Sequence, residues 1–288
     1  MEVRKLLGSS RIKLLSKIEN KAGSDNFESI LKISDGIIID RGYLGVEIDV
    51  QQVALRQKAI IRMCNLVGKP VLVANHVLET LCDHPRPTRS EASDITSVIM
   101  DGVDALVLSA ETALGKYPVE SLKWLSSISL QVEKSIDYHH FKMNILRFVE
   151  KPVGISESIA SSAVKCAREV NASCIIVVTE AGGTARLVSK YRTSTPVIVA
   201  TSDALTARQL TTSFGLIPFH HATATATSDD KNVKSDSKND ILEAAMNFAV
   251  DQGFGRVGDP VVVASGQVHG FLEGTTTVMQ VVPLTAYH

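Results

Sequence analysis

Side chains able to do chemistry recur in the first half of the chain, each time at the end of a short apolar run. They are Lys17 and Glu19, then Asp40, Arg41, Gly42 and Tyr43, then Asn75 and His76, and finally Ser109 and Glu111. A carboxylate can hold a hard divalent cation, and an ammonium beside it can neutralise a transferring phosphoryl group. Gathered in one place, this set predicts a site for an anionic substrate and a metal ion.

The apolar runs before these side chains are predicted to be β-strands that alternate with amphipathic helices, a pattern typical of a parallel sheet. The four predicted strands are Ile12–Ile18, Gly36–Asp40, Pro70–Asn75 and Ala105–Ser109. In a barrel of parallel strands, the strand ends gather side chains from several strands around one cavity. We therefore expect the reactive residues to share one rim.

Each motif taken alone also has a purely structural interpretation. A Lys-x-Glu pair is more often a surface ion pair, and two glycines before a helix, as in Asp40–Glu47, more often permit a tight turn. The segment Pro85–Glu91 is more specific, since helix capping by Thr88 or Ser90 together with Glu91 explains only part of its pattern.

A polar stretch from Asp137 to Pro152 separates this region from a second alternation of helices and strands. We predict a first domain at 1–137, a connecting segment at 138–155 and a second, smaller α/β domain with a mostly parallel sheet at 156–288. Its predicted strands are Cys174–Val178, Val197–Ala200, Leu216–Phe219, Pro260–Ala264 and Thr276–Val282, with an antiparallel last strand as one option. The segment Ala222–Asn239 is predicted to be a surface loop, followed by a helix at Asp240–Asp251.

The composition limits the partners that this protein can recognise. Its 288 residues fit two domains, and 30 basic against 31 acidic side chains give a net charge of -1. That balance provides no basic field, so we expect neither nucleic acid nor a membrane as a partner and expect a small ligand instead. The four cysteines lack metal-site or redox spacing, and we see no signal peptide, which predicts a cytoplasmic location.

Longer segments carry a resemblance to a known family. In the first region they are SKIEN (16–20), SDGIIIDRGYLGVEI (34–48), GKPVLVANHVLET (68–80), PRPTRSEASD (85–94) and DGVDALVLSAETALGKYP (101–118), and in the second VVTEAGGTARLVSKYR (177–192). Together they resemble the C-terminal part of pyruvate kinase, and the plant cytosolic type looks closest. The resemblance covers nearly the whole chain and implies an α/β fold: the C-terminal half of a TIM (β/α)8 barrel, followed by a smaller α/β domain.

The resemblance implies a glycolytic enzyme that transfers the phosphoryl group of phosphoenolpyruvate to ADP, giving pyruvate and ATP, with Mg2+ and K+ as cofactors. Lys17 would stabilise the transferring phosphoryl group, and Glu19 would be one of two carboxylate ligands of magnesium. Arg41 and Gly42 match a loop whose backbone helps to bind the substrate carboxylate, and Asn75 matches a residue near the proton-transfer step. Because the family forms tetramers, we expect homo- or hetero-oligomers with pyruvate kinase subunits.

Several positions depart from the family's pattern, which reads Ala-Arg-Gly-Asp-Leu-Gly from Asp40 onward. Tyr43 stands where the second magnesium carboxylate belongs, and a neutral phenol is a poor substitute for an anionic ligand. Asn75 replaces a threonine, His76 a glutamine and Ala110 a glycine. Asp40 is expected to point away from the site and not to compensate for Tyr43.

We also predict only four of the eight βα units that such a barrel needs. The family's first four strands, its lid domain, most nucleotide contacts and the K+ ligands have no counterpart in the sequence. Two other functions therefore stay open. One is a noncatalytic module that assembles with full-length subunits; the other is a different phosphoenolpyruvate or pyruvate enzyme such as a lyase, against which Pro85–Glu91 and the second domain argue.

One loop of the second domain has the pattern of a phosphate site. The run from Thr179 to Thr184 joins a predicted strand to a helix N-terminus, a geometry that can cradle phosphate with backbone amides. In allosteric family members the matching loop holds a sugar bisphosphate, which would make Thr179, Gly182, Gly183 and Thr184 effector contacts. Because Glu180 brings a negative charge there, a structural glycine turn is the favoured interpretation.

Overall fold

The computed structural model describes residues 2–222, 231–266 and 276–286 of the chain. These residues form two compact units, Met1–Asp137 and Tyr138–His288, and both are α/β units with parallel strands. Across the described ranges, no helix combines the length and the apolar character that crossing a bilayer requires.

The first unit is built around a four-stranded parallel sheet whose strands follow chain order. The strands are β1 Leu15–Ile18, β2 Gly36–Asp40, β3 Val71–Ala74 and β4 Ala105–Val107. The helices are α1 Glu2–Leu7, α2 Lys21–Asp25, α3 Phe27–Ile33, α4 Arg41–Glu47, α5 Val50–Val67, α6 Arg89–Met100, α7 Ala110–Ala113 and α8 Pro118–Glu133, with a 3₁₀ turn at Glu79–Cys82. Because the strands are parallel, their C-terminal ends lie along one edge of the sheet.

The two central strands of this sheet are largely buried. Every residue of β2 except Ile38 is buried, as is every residue of β3 except Leu72. Ile37 and Ile39 belong to the same apolar core as Ile61 of α5. Strands covered on both faces appear in sequence as continuous β-branched runs, which is why these two were predictable.

The two edge strands are shorter than predicted. β1 begins at Leu15 rather than Ile12, because Leu15 pairs with Gly36, the first residue of β2. β4 ends at Val107 because this residue pairs with Ala74, the last residue of β3. An edge strand forms ladder hydrogen bonds only as far as its neighbouring strand extends, even where its own apolar run is longer.

The second unit contains a five-stranded sheet in the order β7-β6-β5-β8-β9, in which β9 is antiparallel to β8 and the other pairs are parallel. Its strands are β5 Cys174–Val178, β6 Val197–Thr201, β7 Leu216–His220, β8 Pro260–Gly266 and β9 Thr276–Pro283. Its helices are α9 Tyr138–Phe148, α10 Ile155–Glu169, α11 Gly183–Lys190, α12 Ala204–Leu210 and α13 Lys231–Asp251. The antiparallel last strand agrees with the option left open from sequence.

Two segments of the second unit differ from their predicted form. The polar stretch after Asp137 contains α9, whose buried Lys142 and Ile145 lie three residues apart on one helical face. The predicted surface loop is wrong for 231–239, because α13 already begins at Lys231, while 223–230 lie outside the described residues. An α-helix that is already held by buried residues such as Ala245 can extend into polar sequence. Each further residue then forms one backbone hydrogen bond, and the costly first turn is already in place.

Candidate active site

Lys17 lies on β1 one residue before its end, paired in register with Ile38 of β2. Its Nζ atom is 2.6 Å from Asp40 Oδ2 and 2.9 Å from Glu19 Oε2. The neighbouring carboxylates of Asp40 and then of Glu19 raise the pKa of Lys17 above its ordinary value and outweigh the opposing effect of desolvation. Lys17 is therefore a charged ammonium at neutral pH with two carboxylate partners.

Asp40 ends β2 and caps α4, and its side chain is fully buried. Its Oδ1 atom accepts hydrogen bonds from Asn75 Nδ2 at 2.7 Å and from the Tyr43 backbone N–H at 3.2 Å. Burial opposes ionisation, but the Lys17 ammonium and the hydrogen bonds from Asn75 and Tyr43 together hold the pKa of Asp40 below its ordinary value. The expectation that Asp40 points away from the site is wrong, because the helix starts directly after it and its N-cap side chain folds back over the first turn.

Arg41 is the first residue of α4, and its side chain is buried. The guanidinium donates to the carbonyl oxygen of Asn75 from Nε at 3.2 Å and to that of His76 from Nη2. Its Nη1 atom forms an ion pair with Asp94 Oδ2 at 2.5 Å. These contacts make Arg41 a positioning residue, since its donors are directed at backbone oxygens and at Asp94.

Asn75 and His76 follow β3 with φ values of 64° and 53°, both in the left-handed region. Non-glycine residues in this region carry backbone strain, which persists where the surroundings hold it. Arg41 supplies that support by bonding both carbonyl oxygens. Gly42 lies beside these residues, and a Cβ atom on it would make ordinary contacts at 3.5 Å from Asn75 Cβ and 3.4 Å from Asp40 Oδ1.

Tyr43 and Glu19, the two predicted magnesium ligands, both contact the ammonium of Lys17. The Tyr43 side chain is exposed, and Lys17 Nζ lies 5.2 Å from the centroid of its ring, a cation–π distance. Glu19 comes just after β1, and 43% of its side chain is exposed. The structure thus brings Lys17, Glu19, Tyr43 and Asn75 together around Asp40.

An open cleft of about 320 Å³ lies beside this network. It is lined by Gly42, Tyr43, Val46, Asn75, His76, Glu79, Ser109, Ala110 and Glu111. The volume is at the lower end of the range for small-molecule sites. Glu111 is held structurally, because its buried carboxylate accepts hydrogen bonds from the backbone N–H groups of Leu78 at 2.9 Å and Ser109 at 2.7 Å.

The segment Pro85–Glu91 sets the start of α6. Thr88 and Glu91 form a capping box, in which the Thr88 hydroxyl accepts from Glu91 N at 3.2 Å and the Glu91 carboxylate accepts from Thr88 N at 2.7 Å. Glu91 also accepts from the backbone N–H of Thr80 at 2.8 Å, which links α6 to the turn after β3. Asp94 lies one turn further along this helix, where it meets Arg41.

Two residues of the site were missed or misjudged from sequence, Asp40 and Asp94. Asp94 lies within the segment PRPTRSEASD, whose pattern assigns this residue no role. Spacing offers no signal for this pair, because Asp94 lies 53 residues from Arg41, and the burial that makes the arginine need an anionic partner is a property of the fold.

The glycine loop of the second unit connects β5 to α11. Gly182 has a φ of 78°, and its N–H donates to the Thr179 hydroxyl at 3.1 Å. A Cβ atom on Gly182 would lie 2.9 Å from Leu210 Cδ2. The turn and this close approach account for glycine at this position without a ligand; Gly183 begins α11, and Thr184 follows it.

The residues around Lys17 fit a magnesium ion poorly. No cluster of three or more His, Cys, Asp or Glu side chains suited to a metal ion occurs in the described parts of the chain. The Glu19 carboxylate is paired with Lys17, the Asp40 carboxylate is enclosed by Lys17 and Asn75, and Tyr43 offers only a phenol. Mg2+ is usually held by one or two carboxylates together with substrate phosphates, so this set is weak for it.

Comparisons with known proteins place both units in one family. A model described as "Pyruvate kinase, barrel domain" matches residues 1–122, and one described as "Pyruvate kinase, alpha/beta domain" matches residues 157–282. A pyruvate kinase from Dictyostelium discoideum is 40% identical over 285 residues, which are 97% of this chain and 54% of that protein. One from Clostridium acetobutylicum is 40% identical over 284 residues, 98% of this chain and 57% of the relative. A cytosolic isozyme of pyruvate kinase from Glycine max is 38% identical over 277 residues, 91% of this chain and 53% of the relative.

The two matches follow the order of the two units along the chain. They describe a two-unit α/β protein, whose first unit matches the family's barrel domain and whose second unit matches its alpha/beta domain. The chain belongs to the pyruvate kinase family, and it spans about half the length of the curated relatives it matches.

Proposed function

We propose that the chain carries the C-terminal half of a pyruvate kinase TIM barrel, followed by the family's C-terminal domain. The proposed reaction transfers the phosphoryl group of phosphoenolpyruvate to ADP, giving pyruvate and ATP. The observation that carries the proposal is the ammonium of Lys17, fixed 2.6 Å from Asp40 Oδ2 in one network with Asn75 at the end of the sheet. A positioned positive charge is what a transferring phosphoryl group requires, since its catalysis is largely electrostatic.

The remaining residues have supporting roles in this proposal. The backbone of Gly42 binds the substrate carboxylate, and Arg41 positions that loop through its bonds to the backbone after β3. Asn75 lines the cleft and can donate a hydrogen bond to substrate. A carboxamide does not titrate near neutral pH, so the proton that converts the enol to pyruvate has to come from another group or from water.

The cofactors of the proposed reaction are Mg2+ and K+, as family membership suggests. We propose that the magnesium site is altered, with Glu19 as its remaining carboxylate ligand and Tyr43 as a weak neutral one. The K+ ligands and most contacts to ADP and ATP are proposed to lie outside this stretch of the family's sequence. A cytoplasmic location is supported by relatives from Glycine max and Solanum tuberosum that are named cytosolic isozymes.

The second candidate function is a noncatalytic module that joins pyruvate kinase subunits in a homo- or hetero-oligomer. Two observations favour it. The ammonium of Lys17 is already neutralised by two carboxylates, and β1 and β4 each pair on one side only within the described sheet. A strand edge of this kind is a template for pairing with another chain. For the glycine loop we propose a structural turn rather than a sugar-bisphosphate effector site.

ATP formation by the purified chain tests the two functions. The chain is incubated with phosphoenolpyruvate, ADP, Mg2+ and K+, alone and mixed with the Dictyostelium discoideum enzyme. The catalytic proposal expects ATP formation that Lys17→Met abolishes and that the control Lys13→Met, an exposed lysine on the same segment, retains. No activity of the chain, together with altered activity or subunit size of the added enzyme, would favour the assembly module.

A further inference from the structure

The carboxylate of Asp40 is the most deeply buried charged group of the site, and its two oxygens have different tasks. Oδ1 accepts from the Tyr43 backbone at 3.2 Å and from the Asn75 amide at 2.7 Å. This oxygen alone accounts for the cap of α4, because neutral residues with one suitable oxygen cap helices equally well. Oδ2 takes no part in the cap and lies 2.6 Å from Lys17 Nζ.

Lys17 has the surroundings of an ammonium that already holds an anion. An ammonium has three N–H donors, and carboxylate oxygens lie at 2.6 Å and 2.9 Å from Nζ. One positive charge therefore faces two negative charges. A phosphate-bearing ligand that approaches Lys17 meets repulsion from both Asp40 and Glu19.

Of these two carboxylates, Asp40 has the stronger hold on the ammonium. Glu19 is 43% exposed, so water screens it and its side chain can turn into solvent. Asp40 is 0% exposed and is fixed by Asn75 and by the Tyr43 backbone. A charge that is fixed and shielded from water acts on its neighbour more strongly than one in solvent.

We infer that Asp40 is a resident anion of the site: it holds Lys17 in the place of a phosphate group and lowers the affinity for phosphate-bearing ligands. The inference rests on the proposed function for the class of ligand, a small phosphorylated acid. Asn75 belongs to the same arrangement, because its amide fixes the Asp40 carboxylate. Removal of the Asp40 charge leaves only the solvent-exposed Glu19 carboxylate beside Lys17, so the ammonium becomes more available to phosphate.

The test measures binding of inorganic phosphate to the full chain by 31P NMR, without any turnover. Asp40→Asn removes the charge but keeps an oxygen for the helix cap, and we expect it to lower the Kd for phosphate roughly tenfold. The double variant with Lys17→Met should return to the weak binding of the unaltered chain. The control Asp101→Asn removes the carboxylate that lies 2.6 Å from Lys58 Nζ elsewhere in the first unit, and it should not change the Kd.

Three outcomes overturn the inference: an unchanged Kd in Asp40→Asn with an intact circular dichroism spectrum, a gain that survives Lys17→Met, or an equal gain in Asp101→Asn. If Asp40→Asn does not fold, phosphate is titrated into the unaltered chain and the NMR signal of the Lys17 ammonium is followed. A shift of this signal at low millimolar phosphate refutes the inference that Asp40 acts as a resident anion. If Asp40→Asn binds phosphate more tightly in a Lys17-dependent way but the chain forms no ATP, the inference is supported and only the catalytic proposal is contradicted.

Discussion

Lys142 is a buried cation of the second unit, and we predict that Lys142→Met stabilises this unit at neutral pH. The residue lies on α9, is 7% exposed, and donates from Nζ to the carbonyl oxygen of Ser161 at 2.6 Å. Burial lowers the pKa of Lys142 from the ordinary 10.5 to about 8. Repulsion from Lys165 and Arg168 adds to this effect, and attraction by Glu169 opposes it.

The size of the effect follows from this difference in pKa. A fall from 10.5 to about 8 means that the folded chain loses about 3 kcal/mol by keeping Lys142 charged, at about 1.4 kcal/mol per pKa unit. The methionine variant loses the hydrogen bond to Ser161, which contributes about 1 kcal/mol. The expected net gain at pH 7 is therefore about 2 kcal/mol.

The sign of the pH dependence is fixed by which state binds more protons. Between pH 8 and 10.5 the unfolded chain holds a proton on Lys142 that the folded chain has lost, so the stability of the unaltered protein rises with pH in this window. The free-energy cost of keeping the buried Lys142 charged is fully present below pH 8 and disappears above pH 10.5. The advantage of Lys142→Met should shrink by about 2 kcal/mol between pH 7 and pH 9.5.

Urea unfolding at pH 7 and pH 9.5, followed by circular dichroism, measures this difference. Trp124, the single tryptophan of the chain, lies in the first unit, so its fluorescence serves as an internal reference that should not change. Lys151→Met replaces an exposed lysine of the second unit and is the matched control. A stability difference between Lys142→Met and the unaltered protein that is the same at both pH values would refute the reasoning, because burial would then not be lowering the pKa.

Three further predictions concern the metal position, the network and the glycine loop. In a fusion that supplies the N-terminal half of the Dictyostelium discoideum relative, Tyr43→Asp should raise Mg2+-dependent ATP formation, and an unchanged Mg2+ dependence counts against a lost metal ligand. Arg41→Met should lower the free energy of unfolding of the first unit by about 3 kcal/mol in tryptophan-monitored urea unfolding, because the carbonyl groups of two residues with strained backbone lose their hydrogen-bond donor. A loss under 1 kcal/mol would contradict a supporting role of Arg41. Gly182→Ala should lower the melting temperature more than Gly215→Ala, because both glycines have positive φ but only at Gly182 would a Cβ meet Leu210, at 2.9 Å; equal losses refute the steric part.

The central strands were predictable because burial on both faces leaves a continuous apolar run in the sequence. β2 was predicted to the residue at Gly36–Asp40, and β5 likewise at Cys174–Val178. The limits of β1 and β4 were not predictable, because they depend on where the neighbouring strand begins or ends. The start of α13 was missed because a polar helical extension has no apolar period.

The site could be predicted in part for similar reasons. The contact of Lys17 with Glu19 follows from their spacing at a strand end, and the neighbouring position of Asn75 follows from parallel strands. The direction of the Asp40 carboxylate could not be read from spacing, since the chain changes from strand to helix at that residue. The partner of Arg41, Asp94, is distant in sequence, and only the packing of α6 brings the two together.

The bonds from Arg41 to the turn after β3 go to main-chain oxygens, which every amino acid possesses. Single-codon changes at positions 75 and 76 can therefore alter what these side chains do while the guanidinium keeps its place. The backbone support at this turn is therefore independent of the side chains that face the cleft. A relative with different residues at positions 75 and 76 would still need the arginine to hold the turn.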